Sequence, residues 1–232
     1  MRRIGSRVAV ATAVVLSVLA SAGAQATEGD ASLPRQVLSG AASAARALAL
    51  RVMASADHGA RPFAIVDKQA ARITVYRADG SVAGTSPVLL GRTSGDEASP
   101  GVGERAQSGG LRLADLTTPA GRFTTQPGRN RAGDNVVWLD YGNALAIHRL
   151  RPAPAVQQRE RRMASADPRD KRISAGCVVV PVAFFDTVVQ PVLGRSEAVV
   201  YVMPEDSSRW PTLWRDAAAA VPAAMPDAGS SL

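Results

Sequence analysis

Cysteine, histidine and aromatic residues are all scarce in this chain of 232 residues. The single cysteine, Cys177, excludes an intramolecular disulfide and a cysteine-only zinc site. The chain has only two histidines, His58 and His148, which leaves little for a histidine-based site, so we predict no metal. Aromatic residues amount to 4%, which argues against the stacking platforms that bind single-stranded nucleic acid. We therefore predict no nucleic-acid partner.

The rest of the composition is that of an ordinary globular protein. Apolar residues make up 46% of the chain and charged residues 20%, which excludes wholesale disorder and a multi-span membrane protein. The net charge is +7, and nearly all of the basic residues are arginine. A mildly basic protein favours an anionic partner, although this charge alone is weak evidence for one.

The first 26 residues have the three-part layout of a secretory signal peptide. A charged start with three arginines is followed by an apolar stretch over 8–19 and by the small residues of Ala24-Gln25-Ala26. The alternative is an uncleaved N-terminal anchor, although the apolar run is short for a membrane span. We predict cleavage before Thr27, export to the periplasm or cell envelope, and no stable membrane insertion after cleavage.

The remaining chain divides into a helix, a strand-rich domain and a tail. We predict a signal peptide over 1–26, an N-terminal helix and linker over 27–60, a folded domain over 61–205 and a partly disordered tail over 206–232. Apolar residues at three- and four-residue steps predict the helix over 34–56. A short apolar run predicts a strand at 63–66, and an alternating pattern predicts one at 72–76. Further strands are predicted at 81–90, 135–139, 145–148 and 197–202, with turn residues between them. A turn into a strand is predicted at 117–123, an apolar β-branched stretch at 174–180 and a helix at 181–194.

Two longer segments carry open alternatives. Residues 91–110 lack an apolar period and are predicted to form a loop, either a flap that borders a site or a disordered segment. Residues 149–172 are polar and basic, with a helix predicted within 155–166. This second segment is either a solvated surface or the wall of a groove that faces an anionic substrate.

The lone thiol and one histidine are the candidate chemical groups. In an exported protein an unpaired cysteine is either a buried packing residue or a reactive nucleophile. Gly176 precedes Cys177 and permits a tight backbone path beside the sulfur, and His148 ends a predicted strand before a polar segment. A thiol needs a nearby base or cation to become a thiolate, so we predict a Cys–His dyad with an accessible thiol of lowered pKa. The alternative is a buried cysteine and a satisfied surface histidine. His58 lies where the first helix ends and is not expected to be catalytic.

Several stretches resemble, in the right order, the catalytic domain of the L,D-transpeptidases (the YkuD fold). They are Ile65–Lys68 with Ile73–Tyr76, Ser86–Gly91, the Thr-Pro-X-Gly-X-Phe sequence of Thr118–Phe123, Ala146–His148 and Ser174–Val178. The resemblance covers about Arg61 to Glu205. It implies a mainly β fold, a sandwich or partly closed barrel of mixed sheets, with one N-terminal helix and one helix after the nucleophile.

The resemblance also implies an activity and its residues. An exported cysteine acyltransferase would act on peptidoglycan stem peptides, release D-Ala through a thioester, and cross-link or hydrolyse the acyl group. No cofactor is implied. The implied roles are those of Cys177 as nucleophile, His148 as general base and acid, the Gly176 backbone as oxyanion donor, the Arg149 carbonyl as the group that orients His148, and Ser174 and Arg172 as substrate-binding residues.

The chain departs from the family pattern at three positions and in one length. Ala175 replaces a second histidine, Arg149 replaces a small residue after the base, and Val179 replaces a polar residue after the nucleophile. The segment between His148 and Cys177 is longer than usual. Two other readings remain: a non-catalytic wall-associated module on the same fold, and a sortase-like transpeptidase, whose Thr-Leu-X-Thr-Cys strand is absent.

Overall fold

The computed structural model describes residues 32–209, with side chains described from residue 44 onward except at Ser207. The predicted signal peptide and most of the predicted tail lie outside the described residues. The described helices are α1 (Ser32–Ser55), α2 (Val102–Ser108), α3 (Arg159–Ala164), α4 (Val182–Phe184) and α5 (Gln190–Leu193), with a π-helical turn at Phe185–Val189 joining the last two. Short 3-10 turns lie at Leu113–Asp115, Ala155–Gln157, Pro168–Lys171 and Ser207–Arg209.

Eleven strands among the described residues form two mixed sheets, of five and four strands, and one two-stranded sheet. The strands are β1 (Phe63–Asp67), β2 (Arg72–Tyr76), β3 (Val82–Pro87), β4 (Leu90–Gly91), β5 (Gly121–Thr124), β6 (Gln126–Arg129), β7 (Asn135–Asp140), β8 (Leu145–Arg149), β9 (Arg172–Ser174), β10 (Val178–Val180) and β11 (Val199–Val202). One sheet has the order β3-β2-β1-β11-β5, in which β1 and β11 are parallel and the other pairs antiparallel. The second has the order β10-β8-β7-β6, in which β10 and β8 are parallel, and β4 pairs with β9 separately. The mainly β fold with mixed sheets is confirmed.

The core lies between the two larger sheets. Alternate residues of β1, β2 and β11 form one apolar cluster with alternate residues of β7, β8 and β10, which is the packing of a sandwich. The helical segment after β10 closes this cluster with Phe185, Val189 and Leu193 and ends before Gly194, as the sequence predicts. A second cluster joins Val52 and its neighbours on α1 to the outer face of β1 and β11. The N-terminal helix therefore packs on the sandwich.

Three local features differ from the sequence prediction or refine it. The 91–110 loop contains the helix α2, which an ion pair between Arg105 and the buried Asp115 ties to the following loop. Strand β6 has no counterpart in the sequence prediction. It contains Pro127 and Gly128, which are typical of turns, but it lies at the edge of its sheet, where proline is tolerated. The helix predicted within 155–166 is shorter in the structure, where a 3-10 turn over Ala155–Gln157 is followed by the α-helix α3 over Arg159–Ala164. No helix within residues 32–209 combines the length and apolarity that a membrane span requires.

Candidate active site

Cys177 lies in a tight turn between β9 and β10. Gly176 has φ +114°, and a Cβ at this position would lie 2.8 Å from the carbonyl oxygen of Thr117, so only glycine fits. The Thr118 hydroxyl donates to the Gly176 carbonyl at 2.7 Å, and the Ser174 hydroxyl donates to the Cys177 carbonyl at 2.7 Å. The turn that carries the sulfur is therefore held by two side-chain hydroxyls that donate to its backbone carbonyls.

The pairing of β8 with β10 brings His148 and Cys177 to the same face of the sheet. His148 is the register partner of Val179, and Cys177 precedes Val179 by two residues. Cys177 lies one residue before β10, and continuing the alternation of that strand puts Cys177 on the same side of the sheet as Val179 and His148. The sulfur itself lies against β8, because Cys177 Sγ is 3.4 Å from the carbonyl oxygen of Ala144. This face is turned away from the sandwich core, to which Ile147 and Val178 belong.

The imidazole of His148 is held in one tautomer. Its Nδ1 is 2.8 Å from the carbonyl oxygen of Arg149, and a carbonyl oxygen can only accept a hydrogen bond. Nδ1 therefore carries the proton when the ring is neutral, and Nε2 keeps its lone pair for another proton. The contact involves the carbonyl that the family resemblance assigns to this purpose, and its catalytic role stays a prediction.

Both groups of the dyad are driven toward their neutral forms. Burial lowers the pKa of His148, the Arg149 carbonyl opposes this shift, and the positive charges of Arg151 and Arg159 add to it. Burial raises the pKa of the Cys177 thiol, although a backbone hydrogen bond from Ala146 opposes this shift. The predicted lowering of the thiol pKa is therefore wrong for the resting site. The sequence shows which groups are present, but the pKa direction depends on how deeply the fold buries them.

Three further predicted site residues have existing hydrogen-bond partners. The Gly176 N–H donates to the Ser174 hydroxyl at 3.2 Å, so it would have to exchange this acceptor for an oxyanion. Ser174 is buried and uses its hydroxyl within the turn. Arg172 makes an ion pair with Glu205 at 2.7 Å and donates to the Lys68 carbonyl at 3.0 Å. The oxyanion role of Gly176 and the substrate contacts of Ser174 and Arg172 stay predictions.

His58 lies in a separate, structural environment. Its Nε2 is 3.2 Å from the carbonyl oxygen of Ala78, and its ring contacts Phe63 at a centroid distance of 5.3 Å. Phe63 belongs to the apolar cluster beneath α1. The ring of His58 therefore helps to close the end of α1 on the sheet.

Sequence reasoning missed the residues that support the nucleophile turn. Thr118 is fully buried, and its hydroxyl both accepts from the Gly91 N–H at 2.8 Å and donates to the Gly176 carbonyl. Lys68 is buried and donates to Asp96 at 2.6 Å and to the Thr118 carbonyl at 3.0 Å. The one available signal was Thr118 itself, the first residue of the Thr-Pro-X-Gly-X-Phe sequence. Within the described part of the chain, no group of three or more His, Cys, Asp or Glu residues is arranged to hold a metal ion.

Comparison with known proteins and protein families identifies one family. No curated protein matches the chain. A family model described as the L,D-transpeptidase catalytic domain (YkuD) matches residues 61–200. This span contains the whole sandwich up to β11, the nucleophile turn and His148. Because the match covers more than half of the sequence, the chain belongs to the L,D-transpeptidase catalytic domain family.

Proposed function

We propose that the chain is an exported cysteine acyltransferase that acts on peptidoglycan stem peptides. The observation that carries the proposal is the placement of Cys177 and His148 on one sheet face, with the Nδ1 of His148 bound to the Arg149 carbonyl. Family membership supports an L,D-transpeptidase type of activity on peptidoglycan peptides. The N-terminal sequence supports export to the periplasm or cell envelope.

The reaction begins from a neutral thiol and a neutral imidazole. As Cys177 Sγ attacks the carbonyl carbon of the bond before a terminal D-Ala, Nε2 of His148 takes the thiol proton. A C–S bond forms and the carbonyl becomes a tetrahedral oxyanion. The C–N bond then breaks, the imidazolium returns the proton to the departing amine of D-Ala, and a thioester remains on Cys177.

The second half returns the enzyme to its starting state. An acceptor amine or a water molecule attacks the thioester carbonyl, and His148 takes one of its protons. The C–S bond breaks, and the proton passes from His148 to the sulfur. An amine acceptor gives a cross-linked product, whereas water gives a trimmed tripeptide, so the acceptor decides between transpeptidase and carboxypeptidase activity.

The burial of the dyad sets the order of proton transfer. Burial disfavours both the thiolate and the imidazolium, which opposes a preformed ion pair. We therefore infer that the proton moves as the sulfur attacks. We propose that the Cys177 and Gly176 N–H groups receive the oxyanion, and that Gly176 leaves the Ser174 hydroxyl when the oxyanion forms. Ser174 and Arg172 remain the proposed substrate contacts on this turn.

The test uses the chain without residues 1–26 and disaccharide-tetrapeptides from peptidoglycan. We expect release of D-Ala, formation of either dimers or tripeptides, and a thioester on Cys177 by mass spectrometry. Cys177→Ala should abolish all of these products because the covalent route is lost. His148→Gln should reduce turnover by about two to four orders of magnitude, the usual contribution of a general base.

The second histidine supplies the matched control. His58→Gln makes the same chemical change at a buried position outside the site, so the folded variant should keep its activity. Circular dichroism checks that each variant is folded. A wild-type protein that binds the wall but releases no D-Ala and forms no thioester would assign the chain to the non-catalytic, wall-associated alternative.

A further inference from the structure

An apolar cluster anchors the segment between His148 and Cys177 to the strand pair. Met163 on α3 forms a buried cluster with Val179 on β10 and with Leu89. Val179 is also the register partner of His148 and lies on the same face of the sheet. The cluster therefore fixes α3 above the strand pair that carries the dyad.

This anchor brings an arginine to the dyad. Arg159 precedes Met163 by four residues on α3, and residues four apart share one helix face. The Arg159 side chain therefore leaves the helix on the face that packs on Val179. This placement, which follows from the helix face, agrees with the contribution of the Arg159 charge to the lowered pKa of His148.

The cations around His148 differ in how they are paired. Arg149 lies 3.6 Å from a carboxylate oxygen of Asp134 and 3.6 Å from one of Asp186, and Arg151 lies 3.2 Å from Asp134. Arg159 donates from Nε to the Gln157 side-chain oxygen at 2.7 Å. Among the residues whose side chains are described, no carboxylate lies within ion-pair distance of Arg159. Gln157 therefore holds the guanidinium by Nε, and its two Nη groups remain for an outside acceptor.

The chemistry of the departing group identifies that acceptor. His148 returns its proton to the amine of the leaving amino acid, and the carboxylate of that amino acid is one carbon away from this amine. A guanidinium on the helix face above the strand pair that carries the base suits this carboxylate, and its two Nη groups match the carboxylate geometry. We propose that Arg159 binds the terminal carboxylate of the acyl donor and so selects peptides with a free C-terminus. This inference rests on the proposed function, because it takes its ligand from that reaction.

The first experiment compares a tetrapeptide donor with its C-terminal amide. Wild-type kcat/KM should favour the carboxylate by about tenfold to a hundredfold, the range for a hydrogen bond to a charged group. Arg159→Gln should remove most of this preference through KM, and Arg159→Lys should restore part of it. Arg161→Gln is the matched control, because Arg161 lies on the same helix but is exposed, and this variant should keep the wild-type preference.

The second experiment separates this inference from the proposed function. Binding of the two peptides is measured by calorimetry on Cys177→Ala, with and without Arg159→Gln. If the carboxylate peptide binds no better than the amide, or if Arg159→Gln leaves the difference unchanged, the inference is overturned whatever the turnover. If the Arg159-dependent difference is present while the wild type releases no D-Ala, the carboxylate site stands and only the proposed reaction is refuted.

Discussion

Thr118 should control the stability of the nucleophile turn through its hydroxyl alone. The side chain is fully buried and joins two backbone groups, the Gly91 N–H at 2.8 Å and the Gly176 carbonyl at 2.7 Å. Thr118→Val keeps the shape of the side chain and removes both bonds. A buried polar group without a partner costs about 1–3 kcal/mol, and two groups lose theirs, so we expect a loss of about 2–6 kcal/mol in the free energy of unfolding.

Urea unfolding of the chain without residues 1–26, followed by circular dichroism, measures this loss. Thr118→Ser keeps the hydroxyl and should recover most of it, with a remaining cost of about 1 kcal/mol for the lost methyl group. Thr187→Val is the matched control, because the Thr187 hydroxyl is exposed and donates only to the Ala183 carbonyl within its own helix. That variant should stay within about 0.5 kcal/mol of the wild type.

The same variants should change the reactivity of Cys177. Without its bonds to Thr118 the turn can move, and the sulfur becomes easier to reach. Iodoacetamide should therefore alkylate Thr118→Val faster than the wild type at one fixed pH. A Thr118→Val protein as stable as Thr187→Val, with unchanged alkylation, would refute the view that this hydroxyl holds the turn in place.

Three further predictions concern charge. Burial raises the pKa of Cys177, so the rate of its alkylation should rise with pH with a midpoint above about 8.5, the value for free cysteine; a lower midpoint would show that a preformed ion pair exists. Arg159→Gln removes a positive charge that lowers the pKa of His148, so this pKa should rise. Because the base must be neutral, the acid limb of the pH profile of kcat/KM should then move to higher pH. Arg161→Gln should leave that limb in place. Lys68→Met leaves the Asp96 carboxylate buried without its closest cation and should cost about 3–5 kcal/mol by urea unfolding, with a change below about 1 kcal/mol contradicting the importance of the pair.

The strands and helices that are regular in sequence were predictable. Residues 72–76 alternate between polar and apolar, residues 136–139 form a short apolar run, and both form strands because one face of each packs on the core. Pro181 and Gly194 bracket the helical segment after β10 for reasons that are local to the chain. Strand β6 was not predictable, since its ladder with β7 outweighs the turn preference of Pro127 and Gly128.

In the candidate site, the residues with a local sequence signal were predictable, whereas the ion pairs between distant residues were not. The absence of a second cysteine and the preceding Gly176 pointed to Cys177, and the end of a predicted strand pointed to His148. The ion pair of Lys68 with Asp96 joins residues 28 positions apart, and that of Arg105 with Asp115 depends on the unpredicted helix α2. Neither pair has a signal in the local sequence.

Two departures from the family pattern form one structural unit. Val179 is apolar where the family commonly has a polar residue, and the structure shows it fully covered by Met163 and Leu89. A polar side chain at this position would lose its hydration beneath Met163, which costs free energy unless a partner is present. The longer segment before Cys177 supplies Met163, and the same helix carries Arg159 one turn earlier. The apolar residue on β10 and the helix that covers it therefore depend on each other.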